Sequence, residues 1–261
     1  MTGEPKVRFA QDGAVGTVTL DSPPLNLLGQ ELISDLQAAF RQVESARGVR
    51  ALVLRGEGNV FSAGADVALF GGKSAAELRP LISSFIDLGQ RIERLPYPTL
   101  AAVHGTCMAG GLELALFCDL LWAAQGTMLG LPETRLGIVP LAGGIERIAA
   151  RAGLGRARVV GLGGELHSAE EFAAWGVVDR VVADDELDDA AFEFALRLAA
   201  GPTSAFSVVK DLVRAYTTAG VMGADALLTD AAVGLFDTQD ARHGVQSFLT
   251  SGPGHAVFAG Q

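Results

Sequence analysis

The chain has 261 residues, 49% of them hydrophobic, with 33 glycines and a formal net charge of −10. That length supports one large domain, or a domain with an appendage, around a sizeable core, and the acidic balance argues against nucleic acid as a partner. Cys107 and Cys118 lack histidines at ligand spacing, so neither a disulfide framework nor a metal site is indicated; with no signal-peptide core and no apolar run of membrane-spanning length, a cytoplasmic protein without a membrane partner is expected.

In chain order, residues 15–20 alternate as a strand and end at Ser22-Pro23-Pro24. Leu32, Leu36, Phe40 and Val43 share one helical face, and residues 51–54 read as a buried strand. The small-residue turn FSAGAD, residues 61–66, follows. A long amphipathic stripe (Leu78, Ile82, Phe85, Leu88, Ile92, Leu95) is broken by Pro96 and Pro98, and residues 100–103 form the next strand. Residues 108–117, MAGGLELALF, predict an apolar helix that opens on two glycines, and residues 119–123 a strand after it. Glu133 then sits in the loop LGLPETRLGIVP. Past Pro140 the pattern turns helical: Ser168 with Glu171 is a capping box, residues 177–182 are one more strand, and helices are predicted over 187–200, 203–218, 224–236 and 239–249. The strand–turn–helix types recur at roughly 50 residues, which predicts a layered α/β spiral of ββα turns rather than a Rossmann unit, whose GxGxxG loop is absent. The division falls near Asp185, giving a core over 1–185 and a helical region over 186–261.

Glu113 is the most informative residue, because a carboxylate inside an apolar helix costs several kcal/mol or shifts its pKa unless it is paired. The bland alternative is a surface carboxylate on the helix face. Each glycine-rich turn ends a strand and frees backbone N–H groups. If the two turns lie side by side, the amides of Ala65 and Gly110 can converge on one oxygen as an oxyanion hole, although each turn alone reads first as a plain tight turn. Glu113 and Glu133 would then flank a polarised carbonyl, one handling water and the other a proton on carbon.

FSAGAD, MAGGLELALFCD and PETRLGIVPLAGG resemble the signature segments of the crotonase, or enoyl-CoA hydratase/isomerase, superfamily, with support from Pro24-Leu25-Asn26, from residues 161–182 and from the helical C-terminus. The resemblance implies a crotonase-like ββα-spiral core with a C-terminal α-helical trimerisation region, in a homotrimer or homohexamer. It implies an acyl-CoA substrate with no cofactor beyond the CoA that the substrate carries. By it, Ala65 and Gly110 supply the oxyanion-hole amides, Glu113 and Glu133 are catalytic, and Leu25, Ala63, Asp66, Val67, Ala68 and Phe258 contact the CoA portion. The reaction implied is reversible hydration of a 2-enoyl-CoA. An enoyl-CoA isomerase and a non-catalytic acyl-CoA-binding or scaffolding homologue are the alternatives.

Several positions depart from the family pattern. Leu141 follows Pro140 where a glycine is usual, and Ser22-Pro23 and Asn59-Val60 replace basic residues. No lysine follows Phe258, which leaves Lys73, Arg55 and Arg8 as substitutes for binding the CoA phosphates. Asp66 reads equally as a helix N-cap and Asp119 as a local hydrogen-bonding residue. The four histidines match no nucleophile motif, and Arg147, Arg151, Arg156 and Arg158 read as a solvated basic face.

Overall fold

The computed structural model of the protein describes residues 4–261. β1 (Val7–Asp12) and β2 (Val15–Leu20) form an antiparallel hairpin, and α1 (Gln30–Ser45) carries the chain to β3 (Ala51–Gly56). α2 (Ala75–Glu93), β4 (Thr99–Val103), β5 (Thr106–Met108), α3 (Gly110–Leu116), β6 (Leu120–Ala124) and β7 (Met128–Gly130) follow. After them come α4 (Gly144–Gly163), β8 (Leu166–Ser168), α5 (Ala169–Ala174) and β9 (Arg180–Val182), and the chain ends in α6 (Leu187–Ala199), α7 (Thr203–Leu235) and α8 (Gln239–Ser251).

The strands divide between two sheets. The larger has the order β1-β2-β3-β4-β6-β9, parallel from β2 onward, and the smaller has the order β5-β7-β8. Bridges from Ser62 to Cys107 and from Leu28 to Ala65 add the segments after β2 and β3 to the second layer. Successive turns of the chain therefore give a strand to the large sheet and an extended segment to the small one, the ββα spiral expected from the recurring pattern.

Strands β3, β4 and β6 are continuous apolar runs because both of their faces are covered. Leu52, Leu54, Ala101, Val103 and Leu121 face a core closed by Leu36 and Phe40 of α1 and by Leu88 and Ile92 of α2. Phe40, Phe61, Phe117 and Phe172 are fully buried there, each contributing about 1.5–3 kcal/mol over an exposed position.

The opposite face of the sheet, with Val15, Ala51, Val53, Leu100 and Trp122, packs against Leu187, Ala191, Ala195 and Ala199 of α6. The helix assigned from sequence to the region after residue 185 thus closes the core, and the first turns of α7 also bond to it through Thr203 to Arg50 and Lys210 to Asp119 and the Tyr97 carbonyl. Helices predicted over 203–218 and 224–236 form one element interrupted only at Gly220, whose φ of 66° breaks the helical path. Of the strand predicted over 177–182, only Arg180–Val182 pairs, because Val177 and Val178 hydrogen-bond back to the Phe172 carbonyl. No single helix among the described residues is long and apolar enough to cross a membrane.

Candidate active site

Two loops meet where the spiral brings the residues after β3 beside those after β5. Gly64, at φ +91°, allows this approach, since a methyl there would fall 2.6 Å from Ala109 Cβ and 2.9 Å from the Met108 carbonyl oxygen. Ala109 itself has φ 51° and ψ −133°, a sparsely populated conformation costing about 1–3 kcal/mol in a non-glycine residue. Its N–H is held by Gly130 O and its carbonyl accepts from Glu113 N, which fixes the entry to α3. A methyl placed on Gly110 would lie 3.6 Å from the amide nitrogen of Ala65. Neither the Ala65 nor the Gly110 N–H donates to a backbone carbonyl among the described residues.

Both residues line a cavity of about 330 Å³ together with Glu113, Glu133, Leu28, Phe85 and Leu141. Glu113 is 2% exposed and is held by the loop before α4. Its Oε1 accepts from the N–H groups of Ala142 at 2.7 Å and Gly144 at 3.0 Å, and its Oε2 accepts from Leu141 N at 3.3 Å. Burial raises its pKa, opposed by those three N–H groups and by the Arg147 guanidinium. Glu133 begins a short 3₁₀ turn, Glu133–Leu136, after Pro132. Its carboxyl is pushed up to about 7, chiefly by burial and further by the charge of Glu113, and its Oε2 is buried with no partner.

The enoyl-CoA hydratase/isomerase family model matches residues 10–255. The chain belongs to that family. It is an enzyme of the enoyl-CoA hydratase/isomerase type. A probable enoyl-CoA hydratase of Bacillus subtilis is 33% identical over 248 residues, covering 93% of this chain and 95% of the relative. Methylglutaconyl-CoA hydratase of Homo sapiens is 35% identical over 67% of this chain and 52% of its own length. Among solved structures, an enoyl-CoA hydratase from Geobacillus kaustophilus superposes with a TM-score of 0.92 at 31% identity, covering 98% of both chains.

In this family member the cavity brings together Ala63, Ala65, Val67, Gly110, Glu113 and Glu133. Leu25 and Asp66 line a neighbouring cleft that shares Leu69 with the cavity. Asp66 caps the short turn after it by accepting from Ala68 N at 3.0 Å, and Ala68 is exposed. Phe258 does not line the cavity. The tail is held elsewhere, where Asp240 accepts from Ala259 N and Gly260 N and Arg50 donates to the Phe258 carbonyl.

Two suggested phosphate binders already have acidic partners: Arg8 pairs with Asp21 and Glu57, and Arg55 with Asp188 and Glu57. Lys73 is exposed. Asp119 is a structural acceptor for Thr99 and pairs with Lys210 at 2.7 Å.

Of the basic face read on α4, Arg156 and Arg158 are exposed as expected, but Arg147 and Arg151 are not solvated. Arg147 and Arg151 keep only 21% and 18% side-chain exposure; Arg151 caps the Cys118 carbonyl and pairs with Asp179, and Arg147 clamps the loop that holds Glu113. The Leu-Ala-Gly-Gly sequence after Pro140 was the local signal for that loop's amides. Nothing local signalled their partner Glu113, which lies 28 to 31 positions earlier.

Proposed function

We propose that the protein is an enoyl-CoA hydratase that adds water reversibly across the double bond of a 2-enoyl-CoA. The observation that carries this reading is the pairing of two unlike carboxylates in one apolar cavity. Glu113 is oriented by three backbone amides, while Glu133 is buried with a free oxygen. The thioester oxygen accepts from Ala65 N and Gly110 N, which stabilises the enolate; one such donor is worth ~10²–10³ in rate. Glu113 takes a proton from water as its oxygen bonds to the β-carbon. Glu133, half protonated near neutrality, gives its proton to the α-carbon on the same face. Exchange of one proton between the carboxyls and solvent resets the pair. CoA enters as part of the substrate.

The exposed surface supports self-association. Val213, Tyr216, Met222, Phe236, Phe248 and Leu249 are exposed on α7 and α8, apolar surface that self-association would cover in a homotrimer or a dimer of trimers.

An enoyl-CoA isomerase is the second reading, favoured by Leu141, whose side chain lines the cavity beside the carboxylate assigned to water. The two separate when purified protein is incubated with enoyl-CoAs of several lengths in deuterated water, following hydrate formation and α-proton exchange together. Hydrate with deuterium at the α-carbon is expected. Double-bond migration or exchange without hydrate would replace the first reading with the second, and neither would remove both.

A further inference from the structure

Arg147 stands behind the site, outside the cavity, in the first turn of α4. Its Nε donates to Glu93 Oε1 at 2.8 Å, which ties it to the end of α2. Its Nη1 donates to the carbonyls of Ala142 at 3.2 Å and Gly143 at 3.1 Å, and its guanidinium carbon lies 4.4 Å from the centre of the Phe117 ring at the end of α3. Four elements therefore meet at one guanidinium: α2, α3, α4 and the loop from Leu141 to Gly143.

The peptide between Gly143 and Gly144 is the decisive link. Its carbonyl accepts from Arg147 and its N–H donates to Glu113 Oε1 at 3.0 Å. A charged donor on the carbonyl polarises that peptide and strengthens its N–H as a donor to the carboxylate. Gly143, at φ +87°, holds a backbone conformation that strains any other residue, and a Cβ there would push Nη1 of Arg147 off the loop.

We infer that Arg147 is a positioning residue for the reaction: by gripping the outer carbonyls of the loop it fixes the inner amides that orient Glu113. The inference rests on the hydratase reading for its kinetic consequence and on geometry alone for its structural one. The charged groups around Glu113 are Arg147 behind the loop, Glu93 beyond Arg147, and Glu133 and Arg135 across the cavity.

The test compares Arg147→Met and Arg147→Lys in the full-length protein with two readouts. One is kcat and KM for a hydrated enoyl-CoA. The other is the titration of the Glu113 carboxyl, followed by carbon-13 NMR of glutamate-labelled protein and assigned with Glu113→Gln. Arg147→Met is expected to lower kcat about 10²-fold with KM little changed, the scale of a misplaced catalytic group, and to move the Glu113 midpoint upward because the nearby positive charge is gone. Arg147→Lys keeps the charge without the fork, so it is expected to hold the midpoint near wild type while recovering kcat only in part. A methionine variant with wild-type kcat, or one whose Glu113 midpoint stays in place, overturns the inference. If that variant does not fold, the lysine variant decides, and full wild-type kcat in it overturns the inference. Should the wild type hydrate none of the enoyl-CoAs, the functional reading fails by itself, and the Glu113 titration still decides the role of Arg147.

Discussion

Glu113 and Glu133 line one cavity, yet Glu113 accepts three backbone N–H groups while Glu133 leaves an oxygen buried without a partner. An unpaired buried acceptor costs about 1–3 kcal/mol. The fold tolerates that cost at Glu133 and avoids it at Glu113, which gives the two carboxyls separate chemical tendencies: one is held in place as an acceptor by three amides, and the other is pushed toward its protonated form.

Removing either carboxylate is therefore expected to lower hydration by ~10²–10⁴, the contribution of a positioned acid or base. Glu113→Gln carries a second penalty, since its amide offers one oxygen to three N–H donors and turns an NH₂ toward some of them. Steady-state hydration of an enoyl-CoA by both variants checks this, and near wild-type turnover in either removes that residue from the mechanism.

The pH dependence has a definite sign. Glu133 titrates at about 7 in the folded protein against 4.5 for an ordinary glutamate, so between those values the folded state holds a proton that the unfolded chain releases. Its contribution to stability is present below pH 4.5 and is lost as pH rises toward 7. Melting temperatures at pH 5 and pH 8 should fall more with rising pH in the wild type than in Glu133→Gln. Hydration should likewise decline as pH rises through about 7, and the reverse reaction, which starts from the same singly protonated carboxyl pair, should decline with it. Equal pH slopes in wild type and variant would mean that Glu133 does not titrate there.

Helices α7 and α8 present Val209, Tyr216, Met222, Phe248 and Leu249 to solvent in the single chain, and α7 has no buried residue. Sedimentation is expected to give three copies or a multiple of three. A stable monomer at micromolar concentration would leave that apolar surface without an explanation.

Local order carries what the sequence revealed. α1 was legible because Leu32, Leu36, Phe40 and Val43 repeat at the helical period, and all four are buried. The capping box of Ser168 and Glu171 was legible because both halves lie within one turn, and both hydrogen bonds form. What escaped depends on pairs far apart along the chain. Arg147 meets Glu93 across 54 positions, so its own neighbours showed only a basic cluster. α6 looked like the other C-terminal helices until the sheet's second face, with Trp122 and Val53, was seen to need a cover. The break between the helices predicted over 203–218 and 224–236 was legible, by contrast, because Gly220 lies in that gap and leaves the helical path there.

Leu141 lines the cavity beside the carboxylate assigned to water. Its N–H donates to Glu113 Oε2 at 3.3 Å while its side chain lines the cavity, so the backbone supports the carboxylate and the side chain occupies space beside it. Leu141→Gly keeps the N–H and removes the side chain. Hydration is then expected to rise relative to α-proton exchange, because Glu133 reaches carbon in both proteins while water gains room beside Glu113 only in the variant. Leu141→Ala should fall between the two. The ratio of hydrate formed to deuterium incorporated, measured on the same enoyl-CoA, reads this directly. An unchanged ratio in a variant with wild-type circular dichroism would show that the side chain does not border the water, and the isomerase reading would lose the observation that favours it.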